Sequence, residues 1–501
     1  MTNQNPIFIR LLNWLERTGN QLPHPTLLFV YLCALVAVLS ALLTWLGVQA
    51  THPATDETLI VRSLLSADGL RWMVTHTVKN FVSFAPVGTV LVAILGIGLA
   101  EHSGLLGALL RALVARTRDN LLTAGIVFAG VLSSLGADSG YVVLVPLAGF
   151  AFASAGRHPL AGIAAAFAGV SGGYSANLAI GPLDAILAGL STEAVKLVAD
   201  AGVAASDNYY FMIASTALIT ALGTLATQRW VEPRLGHYAS AEPTEAFADK
   251  ASDPVSYRWT LIVSLSWAIA LLAATVPSDG ILRNPNTGSL IGSAFLSGIV
   301  TLIALSIASA SIAFGFENKR YRRATDWIEG MEKSMASMAS YLVLMFFAAQ
   351  FVNYFAWSGM GAIAAVKGAN LLATLAIPSA PLLIVFILLC AVINLLIGSA
   401  SAKWALLAPV FVPMLYLLGI SPEATQLAYR IGDSSTNIIT PLMPYFGVVV
   451  AFAQRYDKNL GIGTMMALML PYSLLFLGGW SIMLLAWMWL DWPIGPGGAG
   501  F

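Results

Sequence analysis

The segment from Asn394 to Pro444 constrains this chain more than any other part of the sequence. Most of it is apolar enough to lie in lipid, yet it contains Lys403, Arg430 and Asp433, Gly/Ser-rich breaks and five prolines. Ionisable side chains at membrane depth are costly unless they are paired or hydrated, so they mark functional sites. Irregular backbone persists there only where protein or a water-filled cavity covers it. The segment therefore predicts a functional site inside a membrane protein.

Composition favours a single polytopic membrane domain. Of the 501 residues, 58% are hydrophobic and only 10% are charged, whereas soluble proteins have about 25% charged residues. The formal net charge is zero, so nothing indicates a nucleic-acid partner. Cys33 and Cys390 both lie in apolar runs, which predicts small buried side chains rather than a disulfide or metal framework.

Hydrophobic segments of sufficient length predict nine crossings, since a helical span needs about 20 apolar residues. They lie near 25–48, 84–101, 158–190, 207–230, 258–278, 290–316, 336–357, 421–453 and 461–490. Two further apolar stretches, about 120–156 and 380–419, are interrupted midway by SSLGADSG and LIGSASAK. Each is typical of a re-entrant hairpin. The predicted fold is an all-α polytopic membrane protein with nine transmembrane helices and two opposed re-entrant hairpins.

A polar segment divides the chain into two halves. Residues 232–256 contain three prolines and predict a flexible cytoplasmic linker between residues 1–231 and 257–501. With the N-terminus in the cytoplasm, 17 of the 25 Lys and Arg residues fall inside, 6 outside and 2 within the membrane. This bias follows the positive-inside rule. It predicts a multi-pass protein of the bacterial inner membrane with its C-terminus outside.

The two halves resemble each other in sequence. Three pairs of residues are each 263 positions apart, and two more pairs follow after a short gap: Pro146 and Pro409, Pro159 and Pro422, Gly169 and Gly432, then Asn177 and Asn437, and Pro182 and Pro441. Each half is thus predicted to hold a hairpin and a broken helix. Five crossings separate the hairpins, so the second enters from the opposite face. An inverted repeat with paired broken helices indicates the midplane site of a secondary transporter; chance matching of Gly and Pro is the alternative.

Oxygen-bearing residues at the hairpin tips and helix breaks are candidate ligands for a cation. Unwound carbonyls and the C-terminal ends of half-helices favour cations such as sodium. The candidate sodium ligands are Ser134, Ala137, Asp138, Asn177, Gly398 and Asn437. The alternative role for such small polar residues is helix capping or helix packing.

Arg430 is the strongest candidate for substrate binding, and Asp184 is the strongest candidate for proton transfer. A guanidinium stays charged and binds carboxylates through two parallel hydrogen bonds, so Arg430 predicts an anion site. Its alternative role is a structural ion pair with Asp433, three residues on. Asp184 follows the break at Pro182. Intramembrane carboxylates often carry protons, so Asp184 and Asp433 are both candidates for proton or cation coupling.

Three more residues of the second half join the predicted substrate site. Trp404 offers a ring for stacking on an aromatic ligand, with a lipid-facing position as the alternative. Asn394 provides donors and an acceptor at membrane depth, and Pro422 fixes the turn into the broken helix. Lys403 lies beside Trp404 and is expected only to extend its amine towards the interface.

These motifs carry a resemblance to a known family. The strings GSASAKWA, YRIGDSSTNIITPLMPY, GADSGYVVLVPLA and SANLAIGPLDA resemble the AbgT family of p-aminobenzoyl-glutamate transporters, within the ion transporter superfamily, over essentially the whole chain. The resemblance implies a bowl-shaped homodimer with an inner transport core and an outer scaffold. It implies a sodium ion near the first hairpin tip and Asn177. It also implies a set of functional residues, namely Asp184, Asn394, Trp404, Pro422 and Arg430.

The predicted function is secondary active transport of p-aminobenzoate, p-aminobenzoyl-glutamate or sulfonamide-like antimetabolites. An exporter driven by a proton or sodium gradient is expected, which implies sulfonamide resistance. The alternatives are a sodium-coupled dicarboxylate importer, a membrane-embedded enzyme and a channel. All six histidines lie at loops or span ends, which argues against an enzyme with a metal centre. Apart from a sodium ion, no cofactor is predicted, and the partners are a small aromatic carboxylate or sulfonamide and the lipid bilayer.

Overall fold

Helices of membrane-spanning length dominate the structure. The computed structural model describes residues 25–51, 58–117, 121–135, 140–236, 255–290, 292–443 and 445–498. Within these ranges, seven helical segments are long and apolar enough to cross a bilayer: Thr26–Trp45, Ala67–His102, Tyr209–Leu235, Arg258–Thr275, Ile299–Glu317, Ala339–Trp357 and Ile462–Trp489. The protein is therefore a helical polytopic membrane protein, as the hydropathy pattern predicts.

The first half contains a run of long helices followed by short ones. Its elements are α1 (Pro25–Trp45), β1 (Gln49–Thr51), β2 (Thr58–Ile60), α2 (Ala67–Val82), α3 (Ala85–His102), α4 (Leu105–Arg116), α5 (Leu122–Ser133), α6 (Val145–Ser154), α7 (Pro159–Phe167), α8 (Pro182–Val195), α9 (Tyr209–Ala226) and α10 (Glu232–Leu235). Five-residue π-helical turns at Gly140–Leu144, Ala168–Gly172 and Thr227–Val231 adjoin α6, α7 and α9. Such π turns often lie at functional sites.

The second half contains the same kinds of element. They are α11 (Arg258–Thr275), α12 (Ala294–Ser297), α13 (Ile299–Glu317), α14 (Ala324–Ser337), α15 (Ala339–Trp357), α16 (Met360–Thr374), α17 (Ser379–Asn394), α18 (Ala400–Tyr416), α19 (Pro422–Thr436), a 3₁₀ turn at Asn437–Ile439, α20 (Phe446–Ala453) and α21 (Ile462–Trp489). Non-helical backbone interrupts the apolar stretches between α7 and α8, between α17 and α18, and before α20. Most of the proposed linker, 237–254, lies outside the described residues.

Several features differ from the sequence expectation, and helix α16 is one that was not predicted. A small antiparallel ribbon pairs β1 with β2, in a fold expected to be wholly helical. Helix α2 was not predicted, because Asp68, Arg71 and Lys79 lower the hydropathy of an amphipathic helix that Ser66 caps. The span expected at 290–316 begins only at α13, because Gly288 and Gly292 both adopt positive φ and turn the chain before it.

Helix packing sorts these elements into two groups. Helix α1 packs on α15, α3 packs on α13, and α13 also packs on α11. Helices α5, α7, α9, α17, α19 and α21 form a second group, in which α17 packs on α19 and α9 packs on both α5 and α21. Helix α8 joins the groups, because it contacts α3 of the first group and α19 of the second, and it also packs on α18. Helix α19 is buried along its whole length, so its polar side chains face protein and not lipid.

Close helix contacts recur at corresponding positions of the two halves. A side chain at Gly169 would collide with the backbone of Val127, and one at Gly432 would collide with Ile387 and with Cys390, whose position corresponds to that of Val127. Both glycines allow close approach between neighbouring segments of the second group, as small residues do in membranes.

Replacing Gly432 with alanine is expected to destabilise the protein by about 1–3 kcal/mol, because the new methyl group overpacks the contact between α17 and α19. The apparent melting temperature in detergent measures this effect. Gly478 in α21 has no neighbour within 4 Å of an added methyl group, so Gly478→Ala is the matched control. Equal melting temperatures for the two variants would contradict the proposed close approach.

Candidate functional site

A buried ion pair joins the two halves at the centre of the site. Arg430 Nη2, on α19, lies 2.7 Å from Asp184 Oδ1, on α8. The side chain of Arg430 is 1% exposed and that of Asp184 is 6% exposed. The expected alternative, an ion pair of Arg430 with Asp433, is wrong, because Asp433 pairs with Lys403 instead. The structure thus brings two predicted site residues from different halves into direct contact.

The guanidinium of Arg430 is only partly satisfied. Its Nε and Nη2 atoms have no aligned hydrogen-bond acceptor within the described part of the chain, although Nη2 makes the ionic contact with Asp184. Its Nη1 lies 3.7 Å from the sulfur of Met212. Nε and Nη2 form one edge of the planar fork, the edge that binds a carboxylate with two parallel bonds. Buried donors without partners are costly, so this edge is a candidate anion site.

Helix geometry holds the Asp184 carboxylate in place. Pro182 and Asp184 lie in the first turn of α8, and Asp184 Oδ2 accepts a 2.7 Å hydrogen bond from the backbone N–H of Gly181. The N-terminus of a helix favours negative charge. One carboxylate oxygen therefore caps the helix while the other faces Arg430.

A second buried ion pair lies between the second hairpin segment and α19. Lys403 Nζ contacts both Asp433 Oδ1 and Asn394 Oδ1. Lys403 and Asp433 are each 1% exposed, so the expectation that Lys403 only extends its amine towards the interface is wrong. Asn394 Nδ2 donates to the backbone oxygen of Asp433 at 2.6 Å, to Thr436 Oγ1 at 2.8 Å and to Asn437 Oδ1 at 3.0 Å. Asn394 thus ties the end of α17 to the C-terminal end of α19.

Trp404 lies deep in the protein. Its side chain is fully buried, which rules out the lipid-facing alternative. Its ring stacks on that of Tyr429 with centroids 4.5 Å apart, and its Nε1 donates to Ser191 Oγ at 3.0 Å. One face of the indole is therefore occupied by a protein ring, and the role of Trp404 as a stacking surface for a ligand stays a prediction.

Sequence reasoning missed a polar chain that supports this site. Ser191 Oγ lies 2.7 Å from Gln426 Oε1, and Gln426 Nε2 donates to Asn208 Oδ1 at 2.8 Å. The amide of Asn208 in turn donates to the backbone oxygen of Glu423. Gln426 precedes Arg430 by four residues, so one face of α19 contacts α8 through both side chains. That spacing was the available signal for Gln426, whereas Ser191 and Asn208 had none.

The first-half sodium candidates are only partly visible. Ala137 and Asp138 lie outside the described residues. Ser134 Oγ donates to the backbone oxygen of Val131 and accepts from Asn177 Nδ2 at 2.9 Å. Asn177 Oδ1 accepts the backbone N–H groups of Leu178 and Ala179. These side-chain oxygens at the helix break therefore already accept hydrogen bonds, and their role as sodium ligands stays a prediction.

The second-half sodium candidates are already engaged. Asn437 Oδ1 accepts from Asn394, and the neighbouring carboxylate of Asp433 faces Lys403. A side chain at Gly398 would collide with the backbone of Leu442, so the loop before α18 packs against the break before α20. Pro422 lies at the first position of α19, after the capping Ser421. It is buried and sets the start of the helix that carries Arg430 and Asp433.

Broken helices that surround buried ion pairs at the centre of a helical membrane protein are typical of transporters. Residues 10–501 match the AbgT putative transporter family. The chain is 38% identical over 489 residues to the p-aminobenzoyl-glutamate transport protein of Escherichia coli K12, covering 97% of this chain and 96% of that protein.

Two solved structures are similar along almost the whole chain. The Alcanivorax borkumensis YdaH transporter has a TM-score of 0.91 at 54% identity, covering 95% of this chain and all of that one. Neisseria gonorrhoeae MtrF, described as illuminating a class of antimetabolite efflux pumps, has a TM-score of 0.91 at 46% identity, covering 97% of this chain and all of that one. This chain belongs to the AbgT family, and it is a transporter and not an enzyme.

The Arg430–Asp184 pair can be tested by a double-mutant cycle. Breaking a buried ion pair leaves an uncompensated charge, so Arg430→Met and Asp184→Asn are each expected to destabilise the protein by about 3–5 kcal/mol. The double variant should lose much less than the sum of the two. Unfolding of the purified protein in SDS measures the free-energy changes. Simple additivity would show that the two groups do not interact.

Proposed function

We propose that this protein is a secondary active transporter of p-aminobenzoate, p-aminobenzoyl-glutamate or sulfonamide-like antimetabolites. We propose further that it exports them, using a proton gradient, a sodium gradient or both. The observation that carries the proposal is the buried Arg430–Asp184 pair between the broken helices of the two halves, together with the unsatisfied edge of Arg430. The 46% identity to a protein described among antimetabolite efflux pumps supports the direction.

Arg430 supplies the charge that recognises the substrate. A carboxylate or a sulfonyl group places two oxygens side by side, which matches the Nε and Nη2 donors of Arg430. Inside a buried site these charge-assisted hydrogen bonds are stronger than in water. Trp404 and Tyr429 form an aromatic pair on the neighbouring segments. A movement that separated these rings would expose an aromatic surface for the benzoyl ring of the substrate.

Asp184 competes with the substrate anion for Arg430. Both acceptors need Nη2, since Asp184 Oδ1 lies 2.7 Å from it. Protonation of Asp184 removes its charge and releases the guanidinium, so the substrate carboxylate then binds more tightly. Asp184 is thus the proposed proton carrier, and Asp433 would take part in coupling only in a state in which its ion pair with Lys403 is open.

The same competition favours uptake as the second candidate function. Because a proton on Asp184 and a substrate on Arg430 favour each other, an inward proton gradient acting through this pair alone would drive both inwards. Export requires another step in which proton and substrate exclude each other. A sodium-coupled importer of dicarboxylates would use the same hairpins. Everted vesicles and right-side-out vesicles, loaded with labelled p-aminobenzoate under separate proton and sodium gradients, distinguish these directions.

The oxygens of Ser134 and Asn177 would help to hold a sodium ion if sodium is the coupling ion. When bound, sodium would contribute only positive charge and fixed coordination near the first hairpin. The hydrogen bond between the side chains of Ser134 and Asn177 already links that hairpin to the break after α7. Loss of sodium-dependent transport in Asn177→Ala, with proton-dependent transport unchanged, is the expected result.

The architecture that we propose has nine spans, two opposed hairpins and an external C-terminus. The seven long helices and the two interrupted ones, α7 with α8 and α19 with α20, together support nine crossings. A homodimer remains the expectation from the family resemblance. In a variant without native cysteines, cysteines at Leu135 and at Ser399 should react with impermeant reagents from opposite faces. Labelling of both from one face would contradict the inverted arrangement.

Arg430→Lys separates substrate recognition from folding. Lysine keeps a positive charge for Asp184 but lacks the planar fork, so we expect at least a tenfold loss of p-aminobenzoate affinity with a smaller loss of stability than in Arg430→Met. Isothermal titration and melting temperatures of the same preparations measure the two effects. The matched control is Arg157→Lys, which changes an Arg–Glu pair at Glu232 remote in sequence from the site. Unchanged affinity in Arg430→Lys would remove Arg430 from the substrate site.

A further inference from the structure

The ammonium group of Lys403 lies where a bound cation would be expected. It contacts an aspartate oxygen and an amide oxygen, those of Asp433 and Asn394, between the first turn of α18 and the buried helix α19. The side chain is 1% exposed. Oxygen atoms arranged around one buried positive charge between a hairpin and a helix end form the environment expected of a coupling-ion site.

Two further side chains approach the carboxylate of Asp433. Tyr429 Oη lies 3.3 Å from Asp433 Oδ1 and donates to the backbone oxygen of Ala400 at 2.6 Å. Asn437 Nδ2 lies 3.5 Å from Asp433 Oδ2. The carboxylate therefore connects α19 to the first turn of α18, and Lys403 supplies the charge that makes its burial tolerable.

The first half has the same contact without the charges. With the 263-residue spacing, Lys403 corresponds to Gly140 and Asp433 corresponds to Val170. A side chain added to Gly140 would collide with the hydroxyl of Ser133 and would lie 2.8 Å from Val170 Cγ1, so positions 140 and 170 are also neighbours. An uncharged contact in one half thus replaces an ion pair in the other.

A second pair of corresponding positions behaves in the same way. Asn394 corresponds to Val131 by the same spacing, and Asn437 corresponds to Asn177. Asn437 accepts from Asn394 at 3.0 Å, and Asn177 donates to the backbone oxygen of Val131 at 3.3 Å. The contact between the two positions is therefore shared, and what differs is the lysine, its carboxylate and the amide of Asn394.

We propose that Lys403 is a built-in cation, whose ammonium group occupies the cation position beside Asp433 and prevents a free ion from binding there. In the first half the corresponding position has no side chain. The proposal rests on the proposed function only in assigning a mobile coupling ion to the first half. The consequence is an asymmetric transporter, in which one half exchanges its cation with solution and the other carries its own.

A tethered ammonium has a physical advantage over a free ion at this place. Its effective concentration at Asp433 is set by the side chain and not by the solution, and an intramolecular partner reaches millimolar values or more. The contact between α18 and α19 therefore does not need a dissolved cation in order to form. Removing the amine should uncover a vacant cation site, with Asp433 as its charged ligand.

The test is whether deleting the amine creates a new cation response that depends on Asp433. Wild type, Lys403→Ala, Asp433→Asn and Lys403→Ala/Asp433→Asn are purified in detergent. Their melting temperatures are measured in sodium chloride, ethylammonium chloride and choline chloride at constant ionic strength. Ligands that bind only the folded state raise the melting temperature with concentration.

Lys403→Ala should melt below wild type and should regain several degrees with sodium or ethylammonium but not with choline. The double variant should lack this additional gain. Equal cation responses in Lys403→Ala and the double variant would overturn the proposal. If Lys403→Ala does not fold, solubilisation in ethylammonium chloride should restore a monodisperse protein, and failure to do so while the double variant folds would count against it. A wild type without any sodium response would contradict the proposed first-half ion and leave the comparison of the variants valid.

Discussion

The cost of burying charge inside a membrane governs this structure. Arg430 and Asp184 are almost completely buried and lie 2.7 Å apart, and each would be strongly destabilising without the other. They lie on α19, which starts at Pro422 and ends at the break after Thr436, and on α8, which starts at Pro182 after the break that follows α7. The pair therefore holds the two halves of the protein together at the place where both helices are interrupted. Any movement that separates the halves must supply another partner for the guanidinium, and a substrate anion is such a partner.

A second pair, Lys403 with Asp433, performs a different task within one half. It connects the first turn of α18 to the end of α19, and both of these helices belong to the second half. Asn394 adds three hydrogen bonds at the same junction. The site thus contains one ion pair between the halves and one within the second half. This division suits a transporter that keeps one hairpin rigid while the contact between halves changes.

Much of the fold follows from hydropathy and turn residues. Apolar length predicted the spanning helices, and Gly, Ser and Pro clusters marked the interruptions between α17 and α18 and after α7. The amphipathic helix α2 and the ribbon of β1 and β2 were not predicted, because neither contains a long apolar run. For the site, polar residues in apolar surroundings identified Asp184, Asn394, Arg430 and Asp433. Their partners were not predictable, because residues 184 and 430 are 246 positions apart in the chain.

The sequence by itself determined that this chain lies in a membrane and that its apolar segments are interrupted at related places. It also identified the polar side chains in apolar surroundings that are candidates for a functional role. These are local properties, since they depend on composition and short-range spacing. Only the tertiary structure decided the pairings: Arg430 with Asp184 and not with Asp433, Lys403 inward and not towards the interface, and Trp404 against Tyr429. The physical reason is that a buried charge or ring is satisfied by whichever group packing brings within a few ångströms, and packing depends on the whole chain.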